Sequence, residues 1–321
     1  MLQIRRAIGR TVTTLFCLQA ALSLSWHQPA LALEEVMVSY AGPTVTFLPA
    51  EVARQRGFLR EQNLDIKLLL TRSEVDRAAL ASGNVDYTLR AGSTFVSAAR
   101  GLPVKIVFLG TMRPFWGLVV RPDVKSVTEL KGKSLGVPGL LGSQQISAKF
   151  ILKQHGLDPD RDVIYRVVDT GTRIAAILSG SIDSSMMDYG EAFRAKKVGL
   201  KMLVNAADYH ALLAGGLGVN IKKLREQPDQ VRRFLKAMVQ ALKYMQDNPE
   251  GTQQVMISWL KLDREMAAEI YQMAKNNYTK NGMVEESTLT TLVTTMLAEA
   301  GIKNVAVPQL VDFSLLHQVL K

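Results

Sequence analysis

Cysteine is nearly absent from this 321-residue chain, Cys17 being the only one. One thiol cannot close an intramolecular disulfide or build a cysteine-ligated metal site. Histidine is sparse too, and His155, His210 and His317 stand far apart in no ligand spacing. Asp158-Pro159-Asp160-Arg161-Asp162 imitates the opening of a calcium loop, but Val163 stands where that loop needs glycine. No Gly-x-Ser-x-Gly elbow is present, which argues against a serine hydrolase. Neither a metal nor a cofactor is therefore expected. The formal charge is +10, yet the basic residues are scattered among acids with no stripe and no interleaved aromatics. A nucleic-acid partner is not expected from that pattern.

The longest apolar run, from about Val12 to Leu24, falls short of the ~20 residues that a membrane-spanning helix needs. Arg5, Arg6 and Arg10 precede it, and Ala30-Leu31-Ala32 follows with small residues at the two cleavage-defining positions. That order predicts a secretory signal peptide over residues 1–32, cut near Ala32, and a protein exported to the periplasm. Cys17 lies inside the run with no small residue before it, so a lipoprotein anchor is not expected.

The chain is organised around Lys131-Gly132-Lys133-Ser134-Leu135-Gly136-Val137-Pro138-Gly139-Leu140-Leu141-Gly142-Ser143-Gln144-Gln145. It reads as a short strand, a loop with glycines at 139 and 142, and a helix whose apolar stripe includes Ile146, Phe150 and Ile151 and which Gly156 ends. Such a turn aims backbone N–H groups and the positive end of a helix at one spot, which suits an anion or polar ligand. Ser143 is placed either to cap that helix or to offer its hydroxyl to the ligand. No Gly-Lys-Ser/Thr follows, so this is not a phosphate-binding P-loop.

The rest of the chain repeats the plan. Strands are expected at 35–40, 63–70, 85–89, 104–109 and 116–120, with helices between them. Further strands are expected at 134–137, 163–168, 182–187 and 200–204, before an extended Gly215-Gly216-Leu217-Gly218-Val219-Asn220. Alternating strands and helices predict an α/β fold with parallel sheets, and ligands then sit at the carboxyl ends of strands. That rule nominates Tyr40 to Thr44, Arg90 to Thr94 and Thr111 to Phe115. Gly83-Asn84-Val85-Asp86-Tyr87 and Gly180-Ser181-Ile182-Asp183-Ser184 hold equivalent places in two halves. From Pro228 onward the chain turns helical, with Val231, Phe234, Leu235, Met238, Leu242 and Met245 on one apolar face.

Seven stretches then resemble, in order and spacing, the periplasmic solute-binding proteins of ABC importers for aliphatic sulfonates, taurine, nitrate and thiamine-pyrimidine precursors. They are Glu51–Leu59, Ala79–Asp86, Leu118–Asp123, Leu130–Lys133, Gly156–Pro159, Ala176–Asp183 and Val311–Leu316. The resemblance implies a periplasmic binding protein type II-like fold, two α/β lobes with a ligand cleft between them and two crossover strands as the hinge. Crossings near Val120 and Gly216 would make residues 33–120 plus 217–321 one lobe and 121–216 the other. It implies a monomer that captures a small organic anion or zwitterion, of sulfonate or carboxylate type, and hands it to an ABC permease. Two alternatives share the scaffold: a pyrimidine- or menaquinone-precursor enzyme, or a binding protein that reports to a membrane sensor. The pyrimidine-forming type uses a cysteine-rich segment that this chain lacks.

Arg90 directly follows an expected strand and could grip a carboxylate or sulfonate as a fork, or else pair with Asp188 or Glu191. Thr44, Ser93, Thr94 and Ser143 would donate hydrogen bonds, with Gly139, Gly142 and Gln144 beside them. Tyr40, Trp116 and Tyr189 would wall the ligand, and a free Asp188 would suit an amino or hydroxyl group on it.

Overall fold

Short β-rich runs give ten strands among residues 33–321, which are the residues that the computed structural model describes. The expected leader over residues 1–32 lies outside them. The first four strands are β1 (Glu34–Tyr40), β2 (Leu64–Leu70), β3 (Tyr87–Arg90) and β4 (Val104–Leu109). Next come β5 (Trp116–Val120), β6 (Lys133–Val137), β7 (Val163–Val167), β8 (Ser184–Asp188), β9 (Lys201–Asn205) and β10 (Gly215–Asn220).

They form two five-stranded sheets, ordered β2-β1-β3-β10-β4 and β7-β6-β8-β5-β9. The two orders are the same pattern, with β1, β2, β3 and β4 matched by β6, β7, β8 and β9. In each sheet one strand arrives from the other half of the chain and slots between the third and fourth: β10 in the first sheet, β5 in the second.

That insertion corrects two expectations. The sheets are mixed, because β10 runs antiparallel to both β3 and β4, and β5 runs antiparallel to both β8 and β9. Residues 116–120, expected to end the first lobe, pair with β8 and β9 in the second sheet. The chain therefore leaves the first sheet after Leu109 and returns to it at Gly215. The connecting segments bond to each other: Leu212 N–H donates to the Met112 carbonyl at 3.1 Å, and Arg113 Nη1 to the Ala207 carbonyl at 2.8 Å. Buried Thr111 Oγ1 accepts from the N–H groups of Ala214 and Gly215.

The helix Pro228–Asp247 buries the expected face, Val231, Phe234, Leu235, Met238, Leu242 and Met245, in the core beside the first sheet. Each such side chain contributes roughly 1.5–3 kcal/mol when it leaves water. The helix Glu286–Glu299 packs on both Ala91–Ala99, which follows β3, and Ser143–Gln154, which follows β6. The C-terminal helices thus support both sheets.

Candidate functional site

Where the carboxyl ends of the two sheets meet, fifteen residues line a cavity of ≈70 Å³. The end of β3 supplies Arg90, and the helix after it Ser93. The turn after β2 supplies Ser73, the loop after β1 Thr44, and the start of β5 Trp116. From the second half come Gly139, Gly142, Ser143 and Gln144, with Thr170 after β7. The strand-end rule therefore finds the cavity, and eight of the twelve candidate residues line it: Thr44, Arg90, Ser93, Trp116, Gly139, Gly142, Ser143 and Gln144. Ser73 and Thr170 were not singled out from the sequence, although they follow β2 and β7 and the same rule reaches them.

Arg90 dominates the electrostatics. Nη1 donates to Ser73 Oγ at 3.0 Å and Nη2 to the Thr71 carbonyl, while the buried Nε has no partner. Neither Asp188 nor Glu191 pairs with it. Asp76 and Glu74 attract it, but Asp76 accepts from the Ser39 and Thr88 hydroxyls and Glu74 meets Arg77. Burial consequently pulls the guanidinium below its usual range, an effect that those two acids only partly offset. No Asp or Glu lines the cavity.

The helix Ser143–Gln154 opens at the cavity with Gly142 as its N-cap and without a side-chain cap. Ser143 is thus not the cap, and it lines the same space. The first turn of Ala91–Ala99 comes so close that a Cβ at Gly92 would collide with the Ser143 side chain. Two helix N-termini, one from each half, meet there.

Behind Gln144 lies a buried pair that sequence reasoning does not reach. Arg173 Nη2 meets Glu191 Oε2 at 2.5 Å, and both side chains are out of solvent. Arg173 Nη1 also donates to Gln144 Oε1 at 2.8 Å, and Nη2 lies 3.3 Å from Thr170 Oγ1. With its oxygen so held, Gln144 keeps its –NH2 as the free donor.

Four candidates lie off the cavity. Tyr40 packs edge-on against Phe47. Thr94 turns its hydroxyl back to the Arg90 carbonyl at 2.8 Å. Tyr189 is buried against Phe115 and donates to Asn205 Oδ1 at 2.8 Å. Asp188 caps the helix Tyr189–Lys197 through Gly190 N–H and accepts Val45 N–H at 3.1 Å, linking the second sheet to the loop after β1. Burial pushes its carboxyl up to about 7; the two N–H donors pull the other way, and Glu191 adds a further rise.

A second cavity of ≈250 Å³ shares Ala41, Arg90, Pro138 and Thr170 with the first. Arg72 and Asp169 line it and pair across the two halves at 2.7 Å, both largely in solvent.

A family profile described as NMT1/THI5 like matches residues 44–252. The chain belongs to that family. Among relatives, a 4-amino-5-hydroxymethyl-2-methylpyrimidine phosphate synthase of Saccharomyces cerevisiae is 30% identical over 228 residues, 64% of this chain and 65% of the yeast protein. The riboflavin-binding protein RibY of Chloroflexus aurantiacus is 26% identical over 232 residues, 70% of this chain and 65% of that protein. The chain spans just under two thirds of the length of either relative. Among solved structures, the ligand-binding component of an ABC-type import system from Staphylococcus aureus has a TM-score of 0.76 at 16% identity, covering 89% of this chain and 99% of that one. The alkanesulfonate-binding protein SsuA of Xanthomonas axonopodis pv. citri, bound to MOPS, has a TM-score of 0.68 at 15% identity, covering 90% and 99%. This chain thus has the periplasmic binding protein fold.

Proposed function

We propose that this protein is the extracytoplasmic solute-binding component of an ABC importer, capturing a small organic anion or zwitterion of sulfonate or carboxylate type. The observation that carries the reading is Arg90, a partly buried guanidinium that lines the cavity and that no carboxylate bonds directly. A cation partly withdrawn from water, and only partly offset by Asp76 and Glu74, is costly, and an anionic ligand would supply the missing charge. The uncapped start of Ser143–Gln154, the Gln144 amide and the Ser73 and Ser143 hydroxyls add donors around the same space, whereas the Ser93 hydroxyl donates to the Arg90 carbonyl at 3.2 Å. The ligand would rest between two lobes, one carrying each sheet, that close by bending at residues 110–115 and 206–214. Delivery to a permease is supported by the fold shared with import components, and periplasmic location by that fold together with the signal-like N-terminus. A monomer suffices for this role.

An enzyme that makes a pyrimidine phosphate is the second reading, favoured by the name of the yeast relative. It is weakened by the lack of any cysteine after Cys17.

The test is thermal unfolding of residues 33–321 against sulfonates, nitrate, carboxylates, amino acids and pyrimidines. A true ligand at a hundred times its dissociation constant stabilises by roughly 2.7 kcal/mol, a shift of several degrees. Arg90→Ala should lose that shift while still folding. A shift that survives Arg90→Ala, or turnover of a ligand into product, would overturn the binding role as stated.

A further inference from the structure

The anion reading leaves open what else the ligand carries, and the second half of the cavity wall bears on it. Trp116 opens β5, is 2% exposed and lines the cavity. Its indole N–H is buried and makes no hydrogen bond. A buried tryptophan N–H ordinarily finds an acceptor, because a donor stripped of water and left unpaired costs stability. Arg90 Nε, on the other side of the cavity, is in the same condition. Two buried donors, one from each half of the molecule, thus lack acceptors at a space that both residues line.

The acids that could have received an ammonium group are already engaged. Asp188 is held by Val45 and Gly190 N–H groups, and Glu191 by Arg173. An ammonium in the cavity would be repelled by Arg90, and the acids around it are committed, Asp169 to Arg72, Glu74 to Arg77 and Asp76 to the Ser39 and Thr88 hydroxyls. Resting on the anion reading, we propose that the ligand is an anion without an ammonium group, carrying a second, uncharged acceptor oxygen or nitrogen that receives the Trp116 N–H. At ≈70 Å³ the cavity admits only a small head of this kind. Trp116 therefore determines specificity, choosing among anions that Arg90 holds alike.

The experiment uses two matched triples: ethanesulfonate, 2-hydroxyethanesulfonate and taurine, then propionate, 3-hydroxypropionate and β-alanine. Each is titrated by calorimetry into the wild type, Trp116→Phe and Arg90→Ala. In the wild type the hydroxylated member should bind at least tenfold tighter than the bare anion, and the ammonium member weakest of the three. Trp116→Phe, which keeps a flat apolar ring, should erase the hydroxyl advantage and leave the bare anion within about twofold. Arg90→Ala should abolish all binding. Tightest binding by taurine or β-alanine overturns the proposal, as does a hydroxyl advantage that persists in Trp116→Phe. Should Trp116→Phe fail to fold, the order of the three members on the wild type still decides. A wild type that binds none of the six overturns the anion reading itself, and this proposal with it.

Discussion

Arg90 and Asp188 stand at the same place in two copies of one plan: each is the last residue of the third strand in its sheet's own order, and each precedes a helix. Their uses are opposite. Asp188 spends its carboxylate on two backbone N–H groups, whereas Arg90 keeps its charge at the cavity. The inserted strands continue the parallel, since Trp116 lies opposite Asp188 in the ladder and Gly215 opposite Arg90. One position of the plan thus binds the halves together, and its counterpart faces the ligand space.

Asp188 should make stability fall with pH. Its folded pKa of about 7 lies above the ordinary aspartate value, so the folded protein holds this proton more tightly than the unfolded chain does. The contribution is full below about pH 4 and is lost as pH rises through 7, by at most ~1.4 kcal/mol per unit. Urea unfolding from pH 4 to 8 should show that decline in the wild type and a flatter profile in Asp188→Asn. A profile unchanged by the substitution would refute it.

Gly92 should be intolerant of bulk for reasons of closure and not of folding. Its Cβ would collide with Ser143 from the other half of the chain, while the helix around it would gain from losing a glycine. Gly92→Ala is expected to keep its melting temperature within a few degrees and to weaken ligand binding tenfold or more, about 1.4 kcal/mol. Calorimetry with the best ligand from the thermal screen checks this; undiminished affinity counts against closure at this contact.

Arg173 should be far more costly to remove than Arg72. Arg173→Ala leaves Glu191 buried and unpaired, a loss on the order of 3–5 kcal/mol in denaturant unfolding. Arg173→Met combined with Glu191→Gln should recover much of it.

The Arg72–Asp169 pair, exposed on both sides, should matter only at low salt. Asp169→Asn is expected to leave the unfolding midpoint nearly unmoved at physiological ionic strength. Any effect on ligand association should vanish as salt is raised.

The sequence shows much of this through periodicity. All ten strands fall within a few residues of where β-rich runs and glycine stops put them, and the apolar face of Pro228–Asp247 is buried as its spacing requires. Strand direction was hidden, because nothing local in Trp116–Val120 tells which sheet it joins; that depends on contacts with β8 and β9, some 65 to 90 residues downstream. In the site, the end-of-strand rule reaches Arg90, Ser93 and Gly139 without knowing side-chain directions. It cannot tell that Thr94 turns back onto its own helix, or that Asp188 is occupied by Val45. Arg173 left no trace, since a charged residue at the start of a short helix looks like surface until its partner is in view.

The insertion of β10 between β3 and β4 sets the order in which the molecule can be assembled. The second sheet is one uninterrupted stretch of chain, 116–205, and can form as soon as that stretch is free. The first sheet has a gap at its fourth position until Gly215–Asn220, buried at every residue, arrives from beyond the entire second sheet. Its pairing is thus a long-range event, of the kind that slows folding. A chain that emerges N-terminus first must keep its opening strands waiting, with β4 unpaired, while the later half finishes. Holding those strands in solution until then is the task that this topology sets for whatever accompanies the newborn chain.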